Sequence, residues 1–414
     1  MSRNELSLAL RPWSFLDSHV HLSDGVVEVR TKPQRKLLVW HPETISWIFR
    51  SDQRLAHPGS RAMIPLLGQH SMLWADGERH ATYRRVLGAP IRGRRLASYR
   101  HLISDTVHRA IDDWVPGTIV PLVTWTHHVA LQIIAQIVLG RPDDSMLAQF
   151  TAWLDRAFGS RSRTLFYRYL RDGLPRPGHQ LDDALVRNAR ATATTDSSAL
   201  ATVLLTEDGP LGKLSDPEVR DQLVSLLFAG HETTAGSTAW TLYLLDRHER
   251  IRRDVIDELN ATNSDGSDAT QVPLLNAVIQ ETLRLKPPVP AAENRQLTED
   301  GELFGGQLAA GTILAPSIYL AHHKPDYFPN PHQFDPHRFL AVSAPRNHYF
   351  PFGGGSRHCL GSQLAQMETR MIVTALLRRR EWHCVNPKAG TPQLRVHTMA
   401  PAPKLRMMVT RCRE

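Results

Sequence analysis

Ser215-Asp216-Pro217-Glu218 opens the longest helical pattern in the chain. The serine and the glutamate three residues on form a capping box, and Pro217 falls in the first turn, where an N–H has no partner to lose. Apolar residues then continue to about Leu245. Some 30 residues at ~1.5 Å each span ~45 Å, the width of a whole domain. A helix of that length must run through the core, so the rest of the chain has to be built around it.

Its middle reads Ala229-Gly230-His231-Glu232-Thr233-Thr234-Ala235-Gly236. Two glycines, two threonines and an acid are poor choices for a helix interior. A threonine there can bond back to the carbonyl four residues earlier and distort the helix. For Thr233 that carbonyl belongs to Ala229. The small Ala229-Gly230 step leaves room beside the helix. His231-Glu232 is not the start of a zinc-protease motif, because position 235 is alanine.

A second unusual stretch is Phe352-Gly353-Gly354-Gly355-Ser356-Arg357-His358-Cys359-Leu360-Gly361. Leu364, Met367, Met371 and Ala375 follow at helical spacing, which places Cys359 at or just before a helix N-terminus. The helix dipole and free N–H groups there favour a thiolate. Three glycines before the cysteine and Gly361 after it let the backbone approach something flat and bulky. Arg357 adds a fixed positive charge. A cysteine that merely fills a core needs none of these neighbours.

The pattern Phe-x-x-Gly-x-Arg-x-Cys-x-Gly, carried by Phe352, Gly355, Arg357, Cys359 and Gly361, resembles the haem-binding signature of the cytochrome P450 family. Ala229 to Thr234 resembles the same family's oxygen-binding segment. Glu281-Thr282-Leu283-Arg284, followed by Leu285 and Pro287-Pro288, resembles its Glu-x-x-Arg element, and Asp335 to Phe339 its Pro-x-Arg-Phe segment. The resemblance implies a mainly α fold with small β-sheets, with haem b (iron protoporphyrin IX) between the long helix and the cysteine loop. It implies that Cys359 ligates the iron and that Ala229, Gly230, Phe352, Gly355 and Gly361 border the haem. Thr233 would hydrogen-bond dioxygen and its water, and Glu232 would relay protons from solvent. His80, Arg84, Arg295 and Arg357 would clamp the two haem propionates. The Pro287-to-Arg295 interval is about one residue longer than the common pattern. Glu281, Arg284 and Arg338 would join in a buried triad with a structural role.

A length of 414 residues suggests two or three domains. Motifs scattered over the whole chain must converge on one cofactor, so a single domain over 1–414 is expected instead. The 42% apolar and 22% charged fractions are those of a soluble globular protein. The net charge is +8, from 49 Lys+Arg against 41 Asp+Glu. Solubility alone accounts for such a charge, and so does a basic patch that docks an acidic partner. No zinc spacing or RNA-binding aromatic signature accompanies the charge, so no nucleic-acid partner is expected. Three irregularly spaced cysteines, Cys359, Cys384 and Cys412, imply no disulfide framework and fit a cytoplasmic location. No run of ~18 consecutive apolar residues is present, so no membrane association is expected.

Along the chain, 37–50 read as a strand and then a helix opened by Pro42. Residues 78–97, 119–140 and 273–286 read as helices, 261–272 as a polar loop, and 290–345 as small sheets and loops. The stretch 141–200 has weaker periodicity, broken by Gly159, Gly173, Pro175 and Pro177. The resemblance implies a monooxygenase that inserts one atom of O2 into a lipophilic small molecule, with a specialised-metabolite intermediate the expected substrate. No flavin module fits in this length, so electrons are expected from a separate ferredoxin and its NAD(P)H-dependent reductase. The enzyme is expected to act as a monomer. Two alternatives stand beside this reading. A peroxide-driven peroxygenase could dispense with the Glu232-Thr233 relay, and a non-catalytic relative that binds a partner enzyme would not need Cys359 and Thr233.

Overall fold

The structure is a computed structural model that describes residues 2–60, 63–159, 166–167, 174–341, 345–395 and 398–413. Part of the expected 141–200 stretch, including Gly173, lies outside the described residues. The long helix runs from Asp216 to Arg247. Ser215 accepts from the Glu218 N–H while the Glu218 side chain reaches back to the Ser215 N–H, so the capping box forms in full. Helix Leu122–Leu139 lies along it, and helix Ser362–Arg379, which follows Cys359, packs against it on another side. Helix Leu122–Leu139 is apolar and long enough to cross a membrane by length and composition, but it is mostly buried inside the protein. It is a core helix.

A five-stranded sheet sits apart from this helical body, in the order Val26–Arg30, Lys36–Val39, Ile313–Pro316, Arg295–Leu297, Leu55–Ala56. Lys36–Val39 runs parallel to Ile313–Pro316, with Leu37 opposite Leu314, and the remaining pairs are antiparallel. Buried apolar residues form two clusters. The larger surrounds the long helix, and the smaller lies under the sheet and includes Trp40, Ile45 and Trp240. Trp240, on the long helix, ties the sheet to it.

Several boundaries differ from the sequence reading. The helix expected over 78–97 stops at Gly88, and a 3-10 segment fills Gly93–Tyr99. Pro90 cannot continue the ladder, and Gly93 takes a left-handed φ of 58°. Ile119–Pro121 is a strand paired with Arg406–Cys412, and its helix begins only after Pro121. Glu249–Thr262 is helical up to a left-handed Asn263, so the polar loop begins two residues later than its composition suggested. A short helix, Ile318–His323, interrupts the region read as sheets and loops.

Candidate active site

The cysteine loop is shaped by what it cannot accommodate. Gly353 and Gly355 have φ values of 66° and 67°, the left-handed region in which a side chain strains the backbone. A Cβ on Gly354 would lie 2.4 Å from the Phe49 ring, and one on Gly355 would lie 2.8 Å from Asp52. The loop closes with the Cys359 N–H donating to the Phe352 carbonyl at 2.9 Å. The following helix begins at Ser362, three residues after the cysteine.

Asp52 holds this loop from behind, and nothing in the sequence marked it. It accepts from Arg295 at 2.5 Å, and from the Ser356 N–H and hydroxyl at 2.7 and 2.5 Å. Burial alone would raise its pKa, but His57, Arg295 and Ser356 outweigh burial and hold the carboxyl well below the usual carboxylate range. Arg295 also donates to the Glu293 and Gly354 carbonyls.

Two cavities meet at Cys359. They share Thr233, Thr234, Glu293, Arg357, Cys359 and Ala365, so they are lobes of one slot between the long helix and the cysteine loop. Phe352 lines one lobe. His80, Arg84, Ala229, Gly230 and Gly361 line the other. Glu232, Arg295 and Gly355 line neither. Glu293 and Glu368 do line the slot, and sequence reading missed both. Burial pushes their carboxyls above the usual carboxylate range, well above it for Glu368.

The sulfur of Cys359 is open to this slot but enclosed by protein, so it faces the cavity and not bulk water. Burial pushes its thiol up, against the Gly361 N–H and the charges of Arg84 and Arg92. A cation beside the sulfur would reverse that balance.

The slot fits a flat, dianionic group. Arg357 donates to the Leu73 and Ala75 carbonyls and to Asp76, yet its buried Nε has no partner among the described residues. His80 is pushed down to about 4 by burial and by the charges of Arg357 and Arg84. That is a surplus of positive charge, which carboxylates would relieve. A Cβ on Gly361 would meet no protein atom within 4 Å, so its bareness leaves space at the cavity.

On the long helix, Thr233 Oγ1 donates to the Ala229 carbonyl at 2.9 Å, the back-bond that the sequence predicts. Glu232 points elsewhere. Its Oε1 lies 3.7 Å from His127, 3.8 Å from His231 and 3.6 Å from Arg395, which in turn lies 3.4 Å from Asp155 at the surface. Burial lowers both histidines, His231 to about 4. His127, Arg395 and Asp155 carried no sequence signal, since they come from three distant segments.

Glu281 accepts from Arg284 at 2.7 and 2.9 Å, from Arg338 at 3.1 Å and from the Asp335 N–H at 2.9 Å. Arg284 also donates to the carbonyls of His322, Pro331 and Gln333. The expected triad is thus assembled, and it binds helix Pro273–Leu285 to the 320s and 330s. His322 accepts from the Phe350 N–H at 3.0 Å, which carries the clasp to the start of the cysteine loop.

The cytochrome P450 family model matches residues 11–407. The chain is a cytochrome P450. It is 32% identical to cytochrome P450 135A1 of Mycobacterium tuberculosis, over 96% of this chain and 90% of that one. It is 31% identical to cyclooctat-9-en-7-ol 5-monooxygenase of Streptomyces melanosporofaciens, over 93% and 88%. Retinoic acid-bound cyanobacterial CYP120A1 superposes with a TM-score of 0.86 at 25% identity, covering 99% of this chain and 96% of that one. This P450 is a haem-thiolate monooxygenase, and its mainly α fold with small sheets is that of the family. It uses O2 and a redox partner. The peroxygenase and the non-catalytic relative are not favoured.

Proposed function

We propose that this P450 inserts one oxygen atom into a lipophilic small molecule, a specialised-metabolite intermediate, using electrons from a separate ferredoxin and its NAD(P)H-dependent reductase. The observation that carries this reading is the slot itself, in which Cys359 on one wall faces Thr233 on the other. Ile91, Ile134, Leu200, Leu226, Ile279 and Val289 make its walls largely apolar, which suits a substrate with few polar groups. The name of the Streptomyces relative specifies an unsaturated alcohol, and the cyanobacterial neighbour holds retinoic acid. Both point to the same substrate class.

The bound group would be haem b, with Cys359 as its iron ligand and its propionates against His80, Arg84 and Arg357. When bound, haem supplies O2 activation and the oxygen insertion. The chain supplies the rest. Thr233 holds a proton at Oγ1 over the slot, and Glu232 receives protons from the surface past Arg395 and Asp155 and passes them on. Arg295 positions the cysteine loop through Asp52. Exposed Arg94 and Arg95, beside partly exposed Arg92, flank the cysteine helix, where Gly93 donates to Gln363 at 2.9 Å. That basic face suits an acidic ferredoxin. A single domain over 1–414, acting as a cytoplasmic monomer, completes the reading.

The reduced, carbon-monoxide-treated protein is expected to show the red-shifted Soret band of a thiolate complex, and Cys359→Ala to lose it. An absent band, together with full turnover by Cys359→Ala, overturns the proposal. Product formation with hydrogen peroxide alone, at the rate seen with ferredoxin, would replace the ferredoxin reading with a peroxygenase. Haem spectral shifts on adding candidate terpenes, fatty acids and their alcohols would identify the substrate class.

A further inference from the structure

On the side of the long helix away from the haem slot, three buried ligand atoms converge. His127 Nδ1 lies 3.3 Å from His231 Nε2, and Glu232 Oε1 lies 3.7 and 3.8 Å from them. We propose that His127, His231 and Glu232 form a divalent transition-metal site of the zinc class, and that an ion bound there withdraws Glu232 from the proton relay. The ion site stands on its own geometry, and only the effect on turnover rests on the function proposed above.

The spacing is that of a coordination shell. The nearest point equidistant from the three atoms lies in their plane about 2.1 Å from each, the length of a zinc–nitrogen or zinc–carboxylate bond, and tetrahedral coordination would draw the atoms only a few tenths of an ångström closer. Two imidazoles and one carboxylate are a zinc donor set with a fourth position left open. Only one of the two facing ring nitrogens can donate to the other, so an ion-free cluster leaves lone pairs crowded together. The outer nitrogens, His127 Nε2 and His231 Nδ1, are buried without a hydrogen-bond partner among the described residues. No outer partner therefore locks either ring in one tautomer, and each can present its inner nitrogen as a lone pair. The Phe150 ring, fully buried, stands edge-on 6.4 Å from His231 and holds that ring in place.

Arg395 opposes the ion. Its Nη2 lies 3.6 Å from the same Glu232 oxygen, and two cations cannot share that oxygen cheaply. Asp155, 3.4 Å from Arg395 and mostly exposed, offers the guanidinium another partner. The ion and Arg395 thus compete for Glu232. The ion replaces the guanidinium at the relay with a coordinated cation.

The test is zinc binding to the untagged holoenzyme, measured by equilibrium dialysis with metal analysis and by competition with a chromophoric chelator. One high-affinity equivalent of Zn²⁺ is expected, and no effect of Mg²⁺, which prefers oxygen ligands. His127→Gln and His231→Gln should each weaken that site by at least about 100-fold, since losing a ligand costs more than losing an outer partner. Haem content is checked in both, and if one fails to fold the other decides. Binding that survives both substitutions belongs to other histidines and overturns the site, as does the lack of a stoichiometric equivalent. Zn²⁺ should also slow product formation in wild type but not in His127→Gln at the same concentration, with the carbon-monoxide spectrum unchanged. Tight, histidine-dependent binding with unchanged turnover would keep the metal site and remove Glu232 from the relay.

Discussion

Glu281 and Glu232 are both buried acids on helices, and they are held in opposite ways. Glu281 accepts four hydrogen bonds between 2.7 and 3.1 Å, three from arginines and one from backbone. Among the described residues, His127, His231 and Arg395 stand 3.6 to 3.8 Å from Glu232 Oε1. Short bonds in fixed directions make a carboxylate part of the frame. Longer approaches, from partners that can change protonation or swing away, leave a carboxylate able to gain and lose a proton. The first acid stands on the cysteine side of the slot and fixes geometry. The second stands on the long-helix side, where the relay proposed above would have it pass protons.

The contrast breaks first at Glu281. Glu281→Gln leaves Arg284 and Arg338 as buried charges without their counter-ion, which should cost about 3–5 kcal/mol. Denaturant unfolding measures the loss, and haem incorporation should fall with it. Asp52 belongs to the same rigid side. Its folded pKa is held below the unfolded value of about 3.9, so its contribution is present above that pH and fades as pH falls through the folded value. Stability measured from pH 5 to pH 2 should therefore fall less steeply in Asp52→Asn than in wild type. An unchanged slope would mean that Asp52 is not the charged clasp described.

Glu232→Gln should do the reverse. It keeps shape and polarity and removes the proton. Turnover should drop by about 10²-fold or more, the usual weight of a positioned acid or base. Unfolding midpoint and haem content should stay near wild type. A variant that unfolds as readily as Glu281→Gln would erase the distinction between the two acids.

The rigid side was also the more legible in sequence. Glu281 and Arg284 lie three residues apart on one helix, and Phe352 to Gly361 is continuous, so their patterns survive in one dimension. The long helix was legible for the same reason, because its cap and its apolar run are local. Asp52, Glu293 and Arg395 were not. Asp52 meets Ser356 across 304 positions, and no local period or spacing encodes that encounter. Arg295 engages Asp52, 243 residues away, a contact that its place after Pro287-Pro288 does not show.

Thr233 gives the finest test, because it sits between the two behaviours. Its hydroxyl donates to Ala229 at 2.9 Å, yet it lines both lobes of the slot. Thr233→Ala removes one hydrogen bond inside a helix that keeps its backbone ladder, so stability should change by less than about 1 kcal/mol. If the hydroxyl guides protons, NAD(P)H consumption should continue while the fraction converted to product falls by about threefold to tenfold, the weight of a single hydrogen bond. Thr233→Ser restores an oxygen at the same place and should recover the coupling. If alanine couples as well as threonine, the back-bond to Ala229 is a packing detail of the helix, and the proton must leave Glu232 by another route.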